Sequence, residues 1–190
     1  MQDRFWPGLI VFSLVLAVGL PVAAVCSGTA NETFVRVRPA GGTYDVGSTI
    51  DVEVVVEDVQ NLYGADVQLT FDTTRLSVID ANPSEPGTQI SPRDDLLSTD
   101  LVVREEANNT TGDIWYAVTQ LNPSEPVTGT GTIFAFTLQT LSPGEAVPVA
   151  IESAKLATRS GDPITSTTQG AYYTIGAERR VFLPFVVKDA

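Results

Sequence analysis

Residues Val59 to Leu76 read VQNLYGADVQLTFDTTRL, and the fold is decided in the middle of this stretch. From Ala65 to Phe71 the side chains alternate, with Val67, Leu69 and Phe71 pointing one way and Asp66, Gln68 and Thr70 the other. A period of two belongs to a strand with one face buried and the other wet. Before it, Asn61 and Gly64 supply turn chemistry. After it, Asp72, Thr73 and Thr74 make a polar corner from which Leu76 re-enters the interior.

Working outward, the same period recurs on both sides. Thr33 to Pro39 sets Val35 and Val37 against Arg36 and Arg38, Gly41 and Gly42 read as a turn, and Thr49 to Glu57 puts Ile50, Val52, Val54 and Val56 on one face. Full burial of those four is worth about 1.5 to 3 kcal/mol each, more than any single polar contact in the sequence. Downstream, Leu76 to Asp80 is a short strand and Ala81 to Thr99 is a Pro-, Ser- and Asp-rich loop with a short helical turn expected at Asp94 to Leu97. Leu101 to Glu105 and Asp113 to Leu121 read as strands around the turn Asn108 to Gly112. Gly131 to Thr140 aligns Phe134, Phe136 and Leu138 on one face. Val147 to Leu156 and Gly170 to Ile175 complete the set around a polar loop at Ser160 to Gln169. The pentapeptide NPSEP occurs at Asn82 to Pro86 and at Asn122 to Pro126, and its two prolines suit loop entry after a strand. Nine strands at turn-punctuated spacing predict an all-β fold, a nine-stranded antiparallel β-sandwich over residues 33–176.

The flanks read differently. Residues 1–26 have the order of an export signal: Arg4, an apolar run from Leu9 to Leu20, then small residues through Ala24. Cys26 is either a lipid-modified cysteine after such a signal or lies beside or inside the discarded peptide. Residues 27–32 form a linker, and 177–190 an apolar tail, VFLPFVV behind Arg179 and Arg180, too short to span a bilayer. The expectation is a bacterial protein, secreted or attached to the cell surface, with no membrane-spanning segment in the mature chain.

Composition narrows the chemistry. The 190 residues hold no histidine and one cysteine, which excludes Ser-His-Asp and Cys-His catalysis, histidine zinc sites and an intrachain disulfide. A formal charge of −12 disfavours nucleic acid and anionic lipid, which require clustered Lys or Arg. No acidic pair stands in apolar surroundings that would raise a pKa for glycosidase work, and no EF-hand spacing is present. No enzymatic activity and no cofactor of the chain's own are expected.

With the strands placed, the chain resembles a cohesin domain, the receptor module of cellulosome scaffoldins. The resemblance is carried by Gly47 to Val56, NLYGADVQLTFDTTRL, GDIWYAVTQ, GTIFAFTLQT and GAYYTI, and spans Thr33 to Ile175. It implies a jelly-roll topology and a flat sheet face that receives a calcium-loaded dockerin on another protein, so any calcium would sit on the partner. Many cohesins place an Asn and an Asp two residues apart near the start of the central strand. The matching positions here are Gly64 and Asp66, so the carboxylate is kept and the amide is lost. Asp66, Gln68, Thr70 and Gly64 are therefore candidate partner-binding residues. Trp115 is another, should it face outward as a hot spot for protein or a stacking platform for sugar. Both faces of its strand carry an aromatic, and the reading preferred for Trp115 is core. The alternative function is a carbohydrate-binding module of a polysaccharide-degrading system. Few aromatics outside the core strands serve it, namely Tyr44, Tyr63, Trp115 and Tyr172.

Overall fold

The computed structural model describes residues 32–176; the export signal, Cys26, nearly all of the linker and the C-terminal tail lie outside the described residues. All regular structure in that range is strand: β1 (Phe34–Arg38), β2 (Gly41–Asp45), β3 (Thr49–Leu62), β4 (Gly64–Phe71), β5 (Leu76–Ile79), β6 (Thr88–Gln89), β7 (Ser91–Pro92), β8 (Leu101–Asn108), β9 (Asp113–Thr119), β10 (Val127–Thr140), β11 (Gly144–Ala157), β12 (Pro163–Ile164), β13 (Thr167–Gln169) and β14 (Ala171–Gly176). No helix among the described residues is long and apolar enough to cross a membrane.

Two sheets face each other. One runs β13-β1-β3-β10-β5 with β7 added to β10; the other runs β2-β14-β11-β4-β9-β8-β6 with β12 added to β11. The alternation read from the sequence sets the core. Ile50, Val52, Val54 and Val56 of β3 and Val67, Leu69 and Phe71 of β4 are all buried. Between the sheets Phe134 meets Tyr116 at 4.7 Å and Phe136 at 6.2 Å between ring centres.

All nine expected strands are present, and three local readings are corrected. Gly41 and Gly42 open a strand, β2, which pairs in parallel with β14; a Cβ on Gly41 would lie 2.9 Å from the Tyr172 carbonyl oxygen. Without side chains these residues show no alternation, yet their bareness is what admits the close approach, and Tyr44 then packs edge-on to Tyr173 at 5.7 Å. No helical turn forms at Asp94 to Leu97. Leu97 is drawn into the core and the segment is tied by Arg93 N donating to the Ile133 carbonyl, so tertiary burial overrides the local preference. The third correction concerns strand direction: the edge pairs β1–β13 and β2–β14 are parallel, which makes both sheets mixed.

The Asn109 side chain ties one sheet to the other. Val78 of β5 donates its N–H to Asn109 Oδ1 at 2.8 Å and accepts from Asn109 Nδ2 at 2.9 Å, so the amide of the β8–β9 turn completes a ladder rung on the free side of β5. Asn109→Ala should cost about 1 to 3 kcal/mol by leaving two part-buried backbone groups unpaired. Urea denaturation of the two proteins checks it.

The NPSEP copies make different contacts. Asn82 caps its own turn through Ser84 N, whereas Ser124 of the second copy donates to Asp100 Oδ2 at 2.8 Å. The Ser98 hydroxyl first, then the Leu121 N–H and the Ser124 hydroxyl, hold the Asp100 carboxyl below its ordinary value. Hydrogen bonds from Thr74 do the same for Asp72. A depressed folded-state pKa contributes stability that is present above the unfolded carboxylate range and lost as pH falls through the folded value. The melting temperature should therefore drop below about pH 4. The drop should be shallower in Asp100→Asn, as read by thermal melts across that range.

Candidate functional site

The outer face of the eight-stranded sheet is built by register. Across β11, β4, β9 and β8, one row reads Lys155, Asp66, Ala117, Arg104 and the next reads Ser153, Gln68, Trp115, Glu106. Beyond them lie Thr70 and Asp113 on one side, Gly64 and Thr119 on the other. Four of the sequence-derived candidates, Asp66, Gln68, Thr70 and Gly64, occupy one strand of this face and are partly exposed. The alternation of β4 alone placed them there.

Trp115 corrects the core reading. Its side chain lies on the outer face, because Ile114, Tyr116 and Val118 take the inner one. The larger apolar set wins the interior, and the indole is left with polar neighbours. Its Nε1 donates to Asp66 Oδ1 at 2.8 Å, and the Arg104 guanidinium carbon sits 4.2 Å from the ring centre. Cation and ring attract each other in this geometry. Arg104 also pairs with Glu106, and Lys155 Nζ stands 3.9 Å from Asp66 Oδ2. Asp66 is thus the hinge of a network that fixes the indole, rather than a carboxylate surrounded by water. Thr70 donates to Glu152 Oε1 at 3.0 Å.

The relief is low. A hollow of about 540 Å³ lies on the β8 side, lined in part by Trp115, Glu106, Asn108 and Thr88, and another of about 300 Å³ lies on the β4 side between Trp115, Thr70 and Glu152. Trp115 is the ridge between them. Gly64 bares one corner: an added Cβ would stand 3.4 Å from Thr119 Oγ1, tight contact without backbone strain. Among the described residues no group of three or more Asp, Glu or Cys side chains is placed to hold a metal ion. A flat face with one ordered aromatic and charges of both signs is suited to recognition of another surface.

Three members of the network escaped the sequence. Lys155 joins because β11 pairs with β4 in the register that puts it beside Asp66. Arg104 and Glu106 join because β8 carries a bulge between Val102 and Arg104, which turns both outward. The only signal in the sequence was the broken alternation of LVVREEAN, and it does not say which strand lies alongside.

The Cohesin domain family model matches residues 35–172. Among solved structures, the fold is similar to that of a type I cohesin–dockerin complex from Clostridium thermocellum, at 12% identity and a TM-score of 0.59, covering 78% of this chain and 97% of that one. A type II cohesin domain from the cellulosome of Acetivibrio cellulolyticus gives 13% identity and a TM-score of 0.58, covering 76% and 92%. A non-cellulosomal cohesin from the hyperthermophilic archaeon Archaeoglobus fulgidus gives 15% and 0.57, covering 78% and 94%. No curated protein matches the chain.

Proposed function

The chain belongs to the cohesin domain family, and from that premise we propose that the outer face of its eight-stranded sheet is a recognition surface for a dockerin borne on another protein. The observation that carries the reading is the indole of Trp115 held in place by Asp66 and Arg104 at the middle of a shallow, exposed sheet. An ordered aromatic costs little further entropy on binding, and desolvating it against a partner is what makes a hot spot. Gln68 lies opposite it with Asp66 and Thr70 in the rows on either side, and these supply the polar contacts, while Gly64 leaves the Thr119 end of the face bare.

The module works by binding and not by catalysis, outside the cytoplasm, secreted or held at the bacterial surface. The order of charges and apolar residues in 1–26 supports that location. Calcium in the complex belongs to the dockerin. Isothermal titration of the chain with a panel of calcium-loaded dockerins should yield at least one saturable partner, and chelating the calcium should abolish it. If no dockerin binds while insoluble polysaccharide retains the protein, the carbohydrate-binding alternative replaces this reading.

A further inference from the structure

The turn between β8 and β9 carries a chemistry of its own. Of the five asparagines within 32–176, four have Ser or Thr two residues on, the pattern of an N-glycosylation acceptor. Proline in the middle position rules out Asn82 and Asn122, which open the two NPSEP copies, and leaves Asn108 and Asn109, overlapping in NNTT. The structure separates these two. Asn109 is engaged in the rung to Val78, where its Nδ2 donates to the carbonyl at 2.9 Å, and a sugar on that nitrogen would break the rung. Asn108 is exposed, and its Oδ1 accepts from the N–H groups of Thr110 at 2.8 Å and Thr111 at 3.2 Å. Those bonds use the oxygen alone. Its Nδ2 has no hydrogen-bond partner among the described residues, and a sugar linked through nitrogen leaves the turn intact. Beside it lies the hollow of about 540 Å³ on the β8 side, walled by Thr88, Thr110 and Trp115. Its size is that of a small-ligand site, and the indole offers the apolar face of a sugar ring a surface to lie on. Bacterial transferases ask in addition for a carboxylate two residues before the asparagine. Glu106 stands there for Asn108, whereas Ala107 stands there for Asn109 and Thr29 for Asn31, whose own NET lies outside the described residues.

We propose that Asn108 is the acceptor of an N-linked oligosaccharide. The donor is an oligosaccharide carried on a polyprenyl pyrophosphate and presented by a membrane-bound oligosaccharyltransferase. Asn108 Nδ2 attacks C1 of the first sugar, and the C1–N bond forms as the bond from C1 to the pyrophosphate oxygen breaks. The lipid pyrophosphate leaves with that electron pair, the amide gives one proton to a carboxylate of the transferase, and nothing is oxidised or reduced. Transfer falls on the chain as it emerges from export, before β8 and β9 pair, so the inference rests on the export reading of residues 1–26. The fold then has only to tolerate the product. It does so through the free nitrogen of Asn108 and the hollow, which lies across the Trp115 ridge from Gln68 and Thr70 and leaves the β4 side of the face open.

The test uses the full chain, residues 1–190, produced in a bacterial host that holds an oligosaccharyltransferase and its lipid-linked oligosaccharide. Intact mass and peptide mapping are read on the exported fraction. The protein should be heavier by one oligosaccharide, carried on the peptide that contains Asn108. T111A removes the pattern of Asn109 alone and should keep the sugar, whereas T110A removes that of Asn108 alone and should lose it, as should N108Q. E106Q should lower the modified fraction. Exported protein of unmodified mass, or a sugar on Asn31 or Asn109 in place of Asn108, overturns the proposal and leaves the export reading standing. Protein retained in the cytoplasm with residues 1–26 uncleaved overturns both.

Discussion

Replacing Asp66 by arginine should weaken dockerin binding by at least about 100-fold, equivalent to some 2.7 kcal/mol. Asp66 now accepts the Trp115 indole N–H at 2.8 Å and faces Lys155 at 3.9 Å. An arginine there would release the indole and place a third cation in the row that already holds Lys155 and Arg104. The partner would meet a misplaced ring and a charge of the wrong sign. Asp66→Asn separates these effects, since the amide oxygen still accepts from the indole while the charge is gone, and its loss should be the smaller one. Trp115→Ala should cost at least about 2 kcal/mol of affinity as the central aromatic. Titration calorimetry measures all three, with melting curves as the control. The melting curves should show each variant folded at the temperature of the titration, so that lost affinity is read as a lost contact. Wild-type affinity in Asp66→Arg would move the interface off this sheet.

Phe134→Ala should destabilise the domain by about 3 to 5 kcal/mol. The ring is fully buried between the sheets, 4.7 Å from Tyr116 and 6.2 Å from Phe136, and β10 is paired on both sides, so the surroundings have little freedom to close over the void. Tyr116 makes the informative contrast. Its hydroxyl is buried without a hydrogen-bond partner among the described residues, and burial pushes its pKa up to about 12, with Glu105 adding to the effect. Tyr116→Phe therefore removes an unpaired polar atom and almost no volume, and should leave stability unchanged or raise it. Denaturant unfolding of the two variants decides the matter. A loss in Tyr116→Phe comparable to that in Phe134→Ala would mean that the hydroxyl has a partner after all.

What the sequence made legible was whatever alternation alone determines. The buried faces of β3 and β4 follow directly from Ile50, Val52, Val54 and Val56 and from Val67, Leu69 and Phe71, and the outward set Asp66, Gln68 and Thr70 follows with them. Where both faces carry an aromatic, alternation has no sign, and Trp115 was assigned to the wrong side for that reason. Glycines carry no pattern, so β2 was hidden in Gly41 and Gly42. The network around Trp115 was hidden by register: nothing local in LVVREEAN or in IESAKLA says that Arg104 and Lys155 flank the same carboxylate. Such neighbours are settled by long-range strand pairing, which a bulge in β8 and another in β11 shift by a residue each.

The Asn109 rung bears on the company this protein can keep. Among the described residues strand β5 pairs with β10 on one side only, and its other side would offer bare N–H and C=O groups to any passing chain. By filling the Val78 position with an amide side chain, the domain withdraws that invitation. A sheet edge closed in this way gives no template for adding a foreign strand. On that side of the six-stranded sheet a neighbouring molecule finds no open rung at Val78 to extend.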